Sequence, residues 1–78
     1  MTTRRYRVLL EWDAEARAWV TYEPALDYLS TFGETRDEAI EKTREAIFGY
    51  IEAATREGLP IPQGGADAEL VDIDVAVA

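Results

Sequence analysis

The chain has 78 residues, a length that accommodates one domain, predicted to span residues 1–78. It contains no cysteine and no histidine, which excludes disulfides, thiol chemistry and the most common general base and metal ligand. Apolar residues make up 47% of the chain, enough for a folded core. The formal net charge of −8 argues against direct contact with nucleic acid. It suits a basic partner, although acidity also serves solubility alone.

Alternating polar and apolar residues predict four β-strands. The first spans residues 5–13 and leads through a short polar hairpin loop to the second, residues 18–23. The third, residues 28–32, follows a proline that ends the second strand. After a linker rich in proline and glycine, residues 69–77 alternate again and predict the fourth strand.

One helix is predicted between the third and fourth strands. Thr35 and Glu38 stand at the spacing of a capping box, in which the threonine hydroxyl accepts a hydrogen bond from the backbone N–H of the glutamate. Gly58 stands where a left-handed C-cap is expected, and Pro60 prevents continuation. These signals predict a helix over about 36–57.

The order β-β-β-α-β predicts an α+β fold with one helix packed on one face of the sheet. Three strands form an antiparallel meander, and a right-handed crossover delivers the fourth strand beside and parallel to the first, in the order 3-2-1-4. Gly33 is expected to supply a positive φ before the helix. The helix is expected to present Ala39, Ile40, Ala46, Ile47, Tyr50, Ile51 and Ala54. The strands are expected to oppose it with Tyr6, Val8, Leu10, Val20, Val71, Ile73 and Val75.

The sheet face away from the helix is expected to remain uncovered. Large apolar groups on such a face indicate an interface, and a small chain gains burial by association. We therefore expect a homo-oligomer, either a dimer or a tetramer. The candidate interface residues are Leu9, Trp19, Tyr28, Phe32 and Leu70.

A set of spaced motif residues follows the first hairpin and covers most of the remaining chain. They are Pro24, Leu26, Gly33, Thr35, Glu38, Ala39, Glu45, Ala46, Gly58, Pro60 and Pro62. This pattern resembles the HicB-like antitoxin family. That family shows a hairpin, a P-x-L-P-G-C-like segment, G-x-T-x-x-E-A at the start of the helix and a G-x-P-x-P-like ending. The P-G-C segment is replaced here by Asp27, Tyr28 and Leu29, which marks a divergent member.

The resemblance implies a partial RNase H-like fold that binds and masks a HicA-like toxin, a small basic ribonuclease that cleaves mRNA. The chain is accordingly expected to be a binding domain and not an enzyme, with no cofactor and no metal. Many relatives carry a C-terminal DNA-binding domain; none is expected here, and no direct contact with nucleic acid. The alternative is a solitary homo-oligomeric domain with an unknown ligand or regulatory role.

The predicted partner-binding surface lies on the first hairpin. Aromatic side chains commonly anchor protein interfaces, and opposite charge accelerates encounter with a basic partner. The candidate residues are Glu11, Trp12, Asp13, Glu15, Trp19 and Glu23. A core position for Trp12, with solvated charges around it, is the simpler alternative.

Two other charged clusters and the N-terminal run each have a functional and a structural interpretation. Glu11, Asp72 and Asp74 would share one face and suggest the carboxylates of a metal-dependent nuclease, but polar positions of alternating strands explain them equally. The arginines within residues 4–7 form the only basic cluster, most simply a solvated strand edge. The apolar run that follows is interrupted by Glu11, and nothing approaches the ~20 apolar residues of a membrane span, so a cytoplasmic protein is predicted.

Overall fold

The computed structural model describes residues 3–64 and 68–78. Three strands form one antiparallel sheet in the order β1-β2-β3, and a helix packs on β2 and β3. The elements are β1 (Leu9–Asp13), β2 (Ala18–Glu23), a 3-10 turn (Pro24–Leu26), β3 (Leu29–Gly33) and α1 (Arg36–Arg56). The α+β class and the three-stranded meander are confirmed.

The helix begins and ends where its capping residues predict. The Thr35 Oγ1 atom accepts a hydrogen bond from the Glu38 backbone N–H at 3.1 Å. At the other end Gly58 has a φ of 71°, and the Leu59 N–H donates to the Ala54 carbonyl at 2.9 Å. This is a Schellman closure, which satisfies carbonyls that the last turn would leave free.

The terminal segment, residues 69–77, does not pair with any strand of the described sheet. Residues 68–78 have no regular secondary structure in this chain, so the fourth strand and the order 3-2-1-4 remain predictions. Val71, Ile73 and Val75, expected to oppose the helix, are instead 66%, 77% and 72% exposed. The radius of gyration is 15.0 Å, against about 11.5 Å for a compact chain of this length.

The strand register decides which side chains face the helix. Thr21 is fully buried, and its hydroxyl oxygen lies 2.7 Å from that of Thr43 on α1, so Thr21 lies on the helix side of the sheet. Side chains alternate along a strand, which places Trp19 on the helix side as well. We call the sheet face away from the helix the open face. The predicted position of Trp19 on the open face is therefore wrong.

Val20 lies on the opposite face of the sheet from the helix. It pairs with Glu11 on β1 and with Phe32 on β3, and paired residues share a face. The predicted core position of Val20 is wrong for the same reason that the position of Trp19 is wrong. Large side chains occupy both faces of β2, so hydrophobicity does not reveal which face meets the helix.

Gly33 is required by close packing rather than by its φ angle. A Cβ atom there would lie 2.6 Å from the backbone nitrogen of Ala39 on α1. Among the described residues, positive φ values occur at Arg17, Asp27, Tyr28 and Gly58, so the predicted positive φ at Gly33 is wrong. The missing side chain lets the start of α1 lie directly against the end of β3.

Candidate functional site

Two tryptophans form a cross-strand pair near the end of the first hairpin. Trp12 on β1 and Trp19 on β2 are direct partners in the register. Their ring centroids lie 5.6 Å apart with an interplanar angle of 62°, an edge-to-face arrangement. Such a pair contributes about 0.5–1.5 kcal/mol beyond simple burial. Trp12 remains 49% exposed, so it is not a core residue, although its ring packs against that of Trp19.

The hairpin turn next to this pair is shaped by Asp13. Its Oδ1 atom accepts hydrogen bonds from the backbone N–H groups of Glu15 at 3.0 Å and Ala16 at 3.2 Å. Asp13 therefore stabilises the turn, as short acidic side chains commonly do. Glu11 and Glu15 are left exposed on either side. We call Glu11, Trp12, Asp13, Glu15 and Trp19 the hairpin patch.

Glu23 does not belong to the hairpin patch. It lies at the far end of β2, fully buried, where its Oε1 atom accepts from the Ala25 backbone N–H at 2.9 Å and caps the 3-10 turn. Its Oε2 atom has no hydrogen-bond partner in the described part of the chain. Sequence reasoning placed Glu23 on the surface because glutamates are rarely buried without a partner.

The predicted oligomer-interface residues are spread over three parts of the molecule. Leu9 and Phe32 lie on the open face, where Phe32 is 64% exposed. Tyr28 lies in the turn before β3 and Leu70 in the terminal segment, at 67% and 85% exposed. Trp19 lies on the helix side. The open face also presents Val20 and Tyr22, which sequence reasoning left out because the register of β2 was unknown.

Two grooves border β1, and sequence reasoning found neither. The edge groove, of about 560 Å³, runs between β1 and α1 and is lined in its apolar part by Val8, Leu10, Ile40 and Ile47. Its margin carries Arg4, Arg5, Arg36 and Arg44. The larger turn groove, of about 1000 Å³, lies by the start of β1 and the 3-10 turn, and the beginning of the terminal segment lines it.

The N-terminal arginines contact different parts of the molecule. Arg7 donates from Nη1 to the carbonyl of Ala68 at 3.1 Å, whereas Arg4 and Arg5 border the edge groove. Of the carboxylates considered for a metal site, Glu11 lies on β1, whereas Asp72 and Asp74 lie in the terminal segment. Within residues 3–64 and 68–78, no group of three or more acidic side chains is arranged to hold a metal ion.

Asp27 and Tyr28 are consecutive turn residues. Both have a left-handed backbone conformation, with φ values of 55° for Asp27 and 59° for Tyr28. This conformation costs a residue with a side chain about 1–2 kcal/mol, and glycine avoids that cost. We expect Tyr28→Gly to have a free energy of unfolding about 1 kcal/mol above that of Tyr28→Ala, the matched variant that also loses the ring. Urea unfolding of the two variants measures the difference. Equal stabilities would contradict the left-handed turn.

The search for helices able to cross a lipid bilayer found none in the described residues. Comparison of the chain with protein-family models, with curated proteins and with solved structures found no match.

Proposed function

We propose that this chain is a protein-binding domain of antitoxin type, a divergent HicB-like domain with a partial RNase H-like fold. Its hairpin patch binds a small basic HicA-like ribonuclease and blocks cleavage of mRNA. The observation that carries the proposal is the half-exposed Trp12 ring, held against Trp19 next to the acidic hairpin turn. The proposed action is steric, with no catalysis, cofactor or direct nucleic-acid contact, and takes place in the cytoplasm, as the sequence predicts.

The geometry of the hairpin patch suits an anchor at an interface. A tryptophan held by a neighbouring ring loses little conformational freedom when a partner covers it, so more of its burial contributes to affinity. Glu15 is exposed in the turn next to Trp12, and Glu11 is exposed on the opposite face of β1. Together with the net charge of −8, they accelerate association with a basic protein at low ionic strength.

The proposal includes the fourth strand, formed by residues 69–77 beside and parallel to β1 in the order 3-2-1-4. Two observations support it. β1 is an edge strand of the sheet, and within the described residues it pairs only with β2. The terminal segment alternates polar and apolar residues and is rich in β-branched types, the pattern of a half-buried strand.

The test is co-expression with the product of a neighbouring gene that encodes a small basic protein. The tagged chain is expected to retain that protein at one-to-one stoichiometry and to inhibit its RNA cleavage. Trp12→Ala is expected to weaken binding by roughly 30-fold or more, the loss of a hot-spot side chain. Glu15→Lys, in the turn, is expected to slow association and to reduce its dependence on salt.

Phe48→Ala is the matched control, because Phe48 is an aromatic residue of α1 that is 66% exposed and lies outside the hairpin patch. It is expected to bind like the unaltered chain. Circular dichroism of each variant reports the fold independently of binding. A basic neighbour that is not retained, or that Trp12→Ala retains as well as Phe48→Ala does, would overturn the proposal or its site respectively.

A solitary homo-oligomeric domain is the second candidate function. The observation that favours it is the terminal segment, whose large apolar side chains are 66% to 85% exposed. Self-association of the purified chain without capture of a basic partner would select this candidate.

A further inference from the structure

The edge groove offers both apolar surface and positive charge. Its apolar part is contributed by Val8, β1 and α1, and four arginines line its margin. Arg36 and Arg44 pair with Asp37 and Glu41 on α1, whereas Arg4 and Arg5 come from the segment before β1. The arginines make the local charge positive, whereas the chain as a whole is negative, with 16 acidic and 8 basic residues. The unpaired edge of β1 borders the groove, so an added strand would gain main-chain hydrogen bonds and apolar burial together.

The terminal segment has the complementary chemistry. Val71, Ile73, Val75 and Val77 would share one face of a strand, while Asp72 and Asp74 would lie on the other. The segment carries three acidic residues, including Glu69, and no basic one. The apolar face of such a strand matches the apolar part of the groove, and Glu69, which lies on that same face, matches the arginines at the groove margin.

The chain's own linker leads the terminal segment away from this groove. The Tyr6 hydroxyl donates to the Pro62 carbonyl at 2.8 Å, and a Cβ at Gly64 would lie 2.3 Å from the Tyr6 ring. Arg7 then holds the carbonyl of Ala68. From there the segment starts along the turn groove, which Leu70 and Val71 line, and among the described residues none of the segment lines the edge groove.

The exposed area of one chain matches what a stable dimer buries. The accessible surface is 6621 Å², whereas a compact chain of this size exposes about 4,800 Å². The excess of about 1,800 Å² per chain compares with about 1,600 Å² in total for a standard interface between two proteins. Docking two terminal segments would therefore suffice for a stable pair.

We propose that the terminal segment of each chain adds as the fourth strand to β1 of a second copy, with its apolar face in that copy's edge groove. The result is a symmetric dimer by strand exchange. The inference rests on the proposed fourth strand and specifies which chain supplies it. It does not depend on a toxin partner, because it needs only two copies of this chain.

The chain has no cysteine, so two introduced cysteines give an unambiguous cross-link. One variant carries Glu11→Cys on β1 and the other Asp74→Cys in the terminal segment. The two are mixed, unfolded together, refolded and treated with a short bismaleimide. We expect a covalent product of two chains that contains one of each variant, identified by mass spectrometry. Glu52→Cys, at an exposed position of α1, replaces Glu11→Cys in the control and is expected to give little product.

Each other outcome overturns the exchange. A doubly substituted chain that cross-links within itself at high dilution, while light scattering reports a monomer, would mean that the segment docks on its own β1. That result would support the fourth strand and contradict its exchange between chains. A dimer without this cross-link would mean association through another surface. A monomer without any cross-link would remove both the exchange and the fourth strand.

Ile73→Asp tests the contact without altering the sheet or helix, since Ile73 is 77% exposed in one chain. Strand exchange would bury the new carboxylate, so the dimer dissociation constant is expected to rise roughly 100-fold or more. Phe48→Asp is the matched control and is expected to remain dimeric. An unchanged dimer in Ile73→Asp would contradict the exchange. Retained capture of a basic partner by monomeric Ile73→Asp would show that the two proposals are separate.

Discussion

Gly33→Ala is expected to lower the free energy of unfolding by about 2–3 kcal/mol, more than half of what a core of this size supplies. The new Cβ atom would lie 2.6 Å from the Ala39 nitrogen and 3.0 Å from its Cα. Both are backbone atoms that cannot rotate away, so α1 would have to move off the end of β3. Urea unfolding followed by circular dichroism measures the loss.

Gly49→Ala is the matched control for this variant. Gly49 lies within α1, and a Cβ atom there meets nothing within 4 Å. Alanine in a helix interior is favoured over glycine by about 0.5–1 kcal/mol, so this variant is expected to be more stable than the unaltered chain. Equal loss at both positions would indicate a general sensitivity to substitution. An unaffected Gly33→Ala would contradict the close approach of helix and strand.

Thr43→Val is expected to lower the free energy of unfolding by about 1–2 kcal/mol, because it breaks a buried chain of hydrogen bonds. The Thr43 hydroxyl donates to the Ala39 carbonyl at 2.7 Å, which leaves its oxygen to accept from the Thr21 hydroxyl, also at 2.7 Å. The Thr21 oxygen in turn accepts from the Thr31 backbone N–H at 3.2 Å. Thr21 and Thr43 are 0% and 3% exposed.

A double-mutant cycle isolates the contact between helix and sheet. Thr21→Val is expected to cost a similar amount, and the double variant to cost about 1 kcal/mol less than the sum of the two, since it leaves neither hydroxyl without its partner. Thr43→Ser retains the hydroxyl and controls for the loss of packing. Additive losses would mean that the two hydroxyl groups do not interact.

Local signals predicted the secondary structure well where each depends on neighbouring residues. The helix bounds differ by one residue from those predicted, because Thr35 and Gly58 act through hydrogen bonds within the first and last turns. The hairpin between β1 and β2 likewise forms where the polar residues after Trp12 predict it. The first strand is shorter than predicted, since residues 5–8 lack the pairing that would extend it.

The candidate site was predictable only in part. Trp12 and Trp19 were both predicted from the sequence to lie in the binding surface. Their contact as a pair of rings depends on the hairpin register. Glu23 was assigned to the same surface, yet it is buried at the other end of β2. The edge groove escaped sequence reasoning because its lining combines the segment before β1, β1 and β2 with α1, which is distant in the chain.

The sequence by itself determined the helix, its two caps, the hairpin and the alternation of each strand, because these follow from interactions between residues a few positions apart. Only the tertiary structure decided which face of β2 meets the helix, why position 33 is glycine and where residues 69–77 lie. Those features depend on contacts between distant segments. The face of β2 follows from pairing with β1 and β3, and Gly33 from the approach of α1. The position of the terminal segment follows from contacts of Tyr6 and Arg7 with the linker.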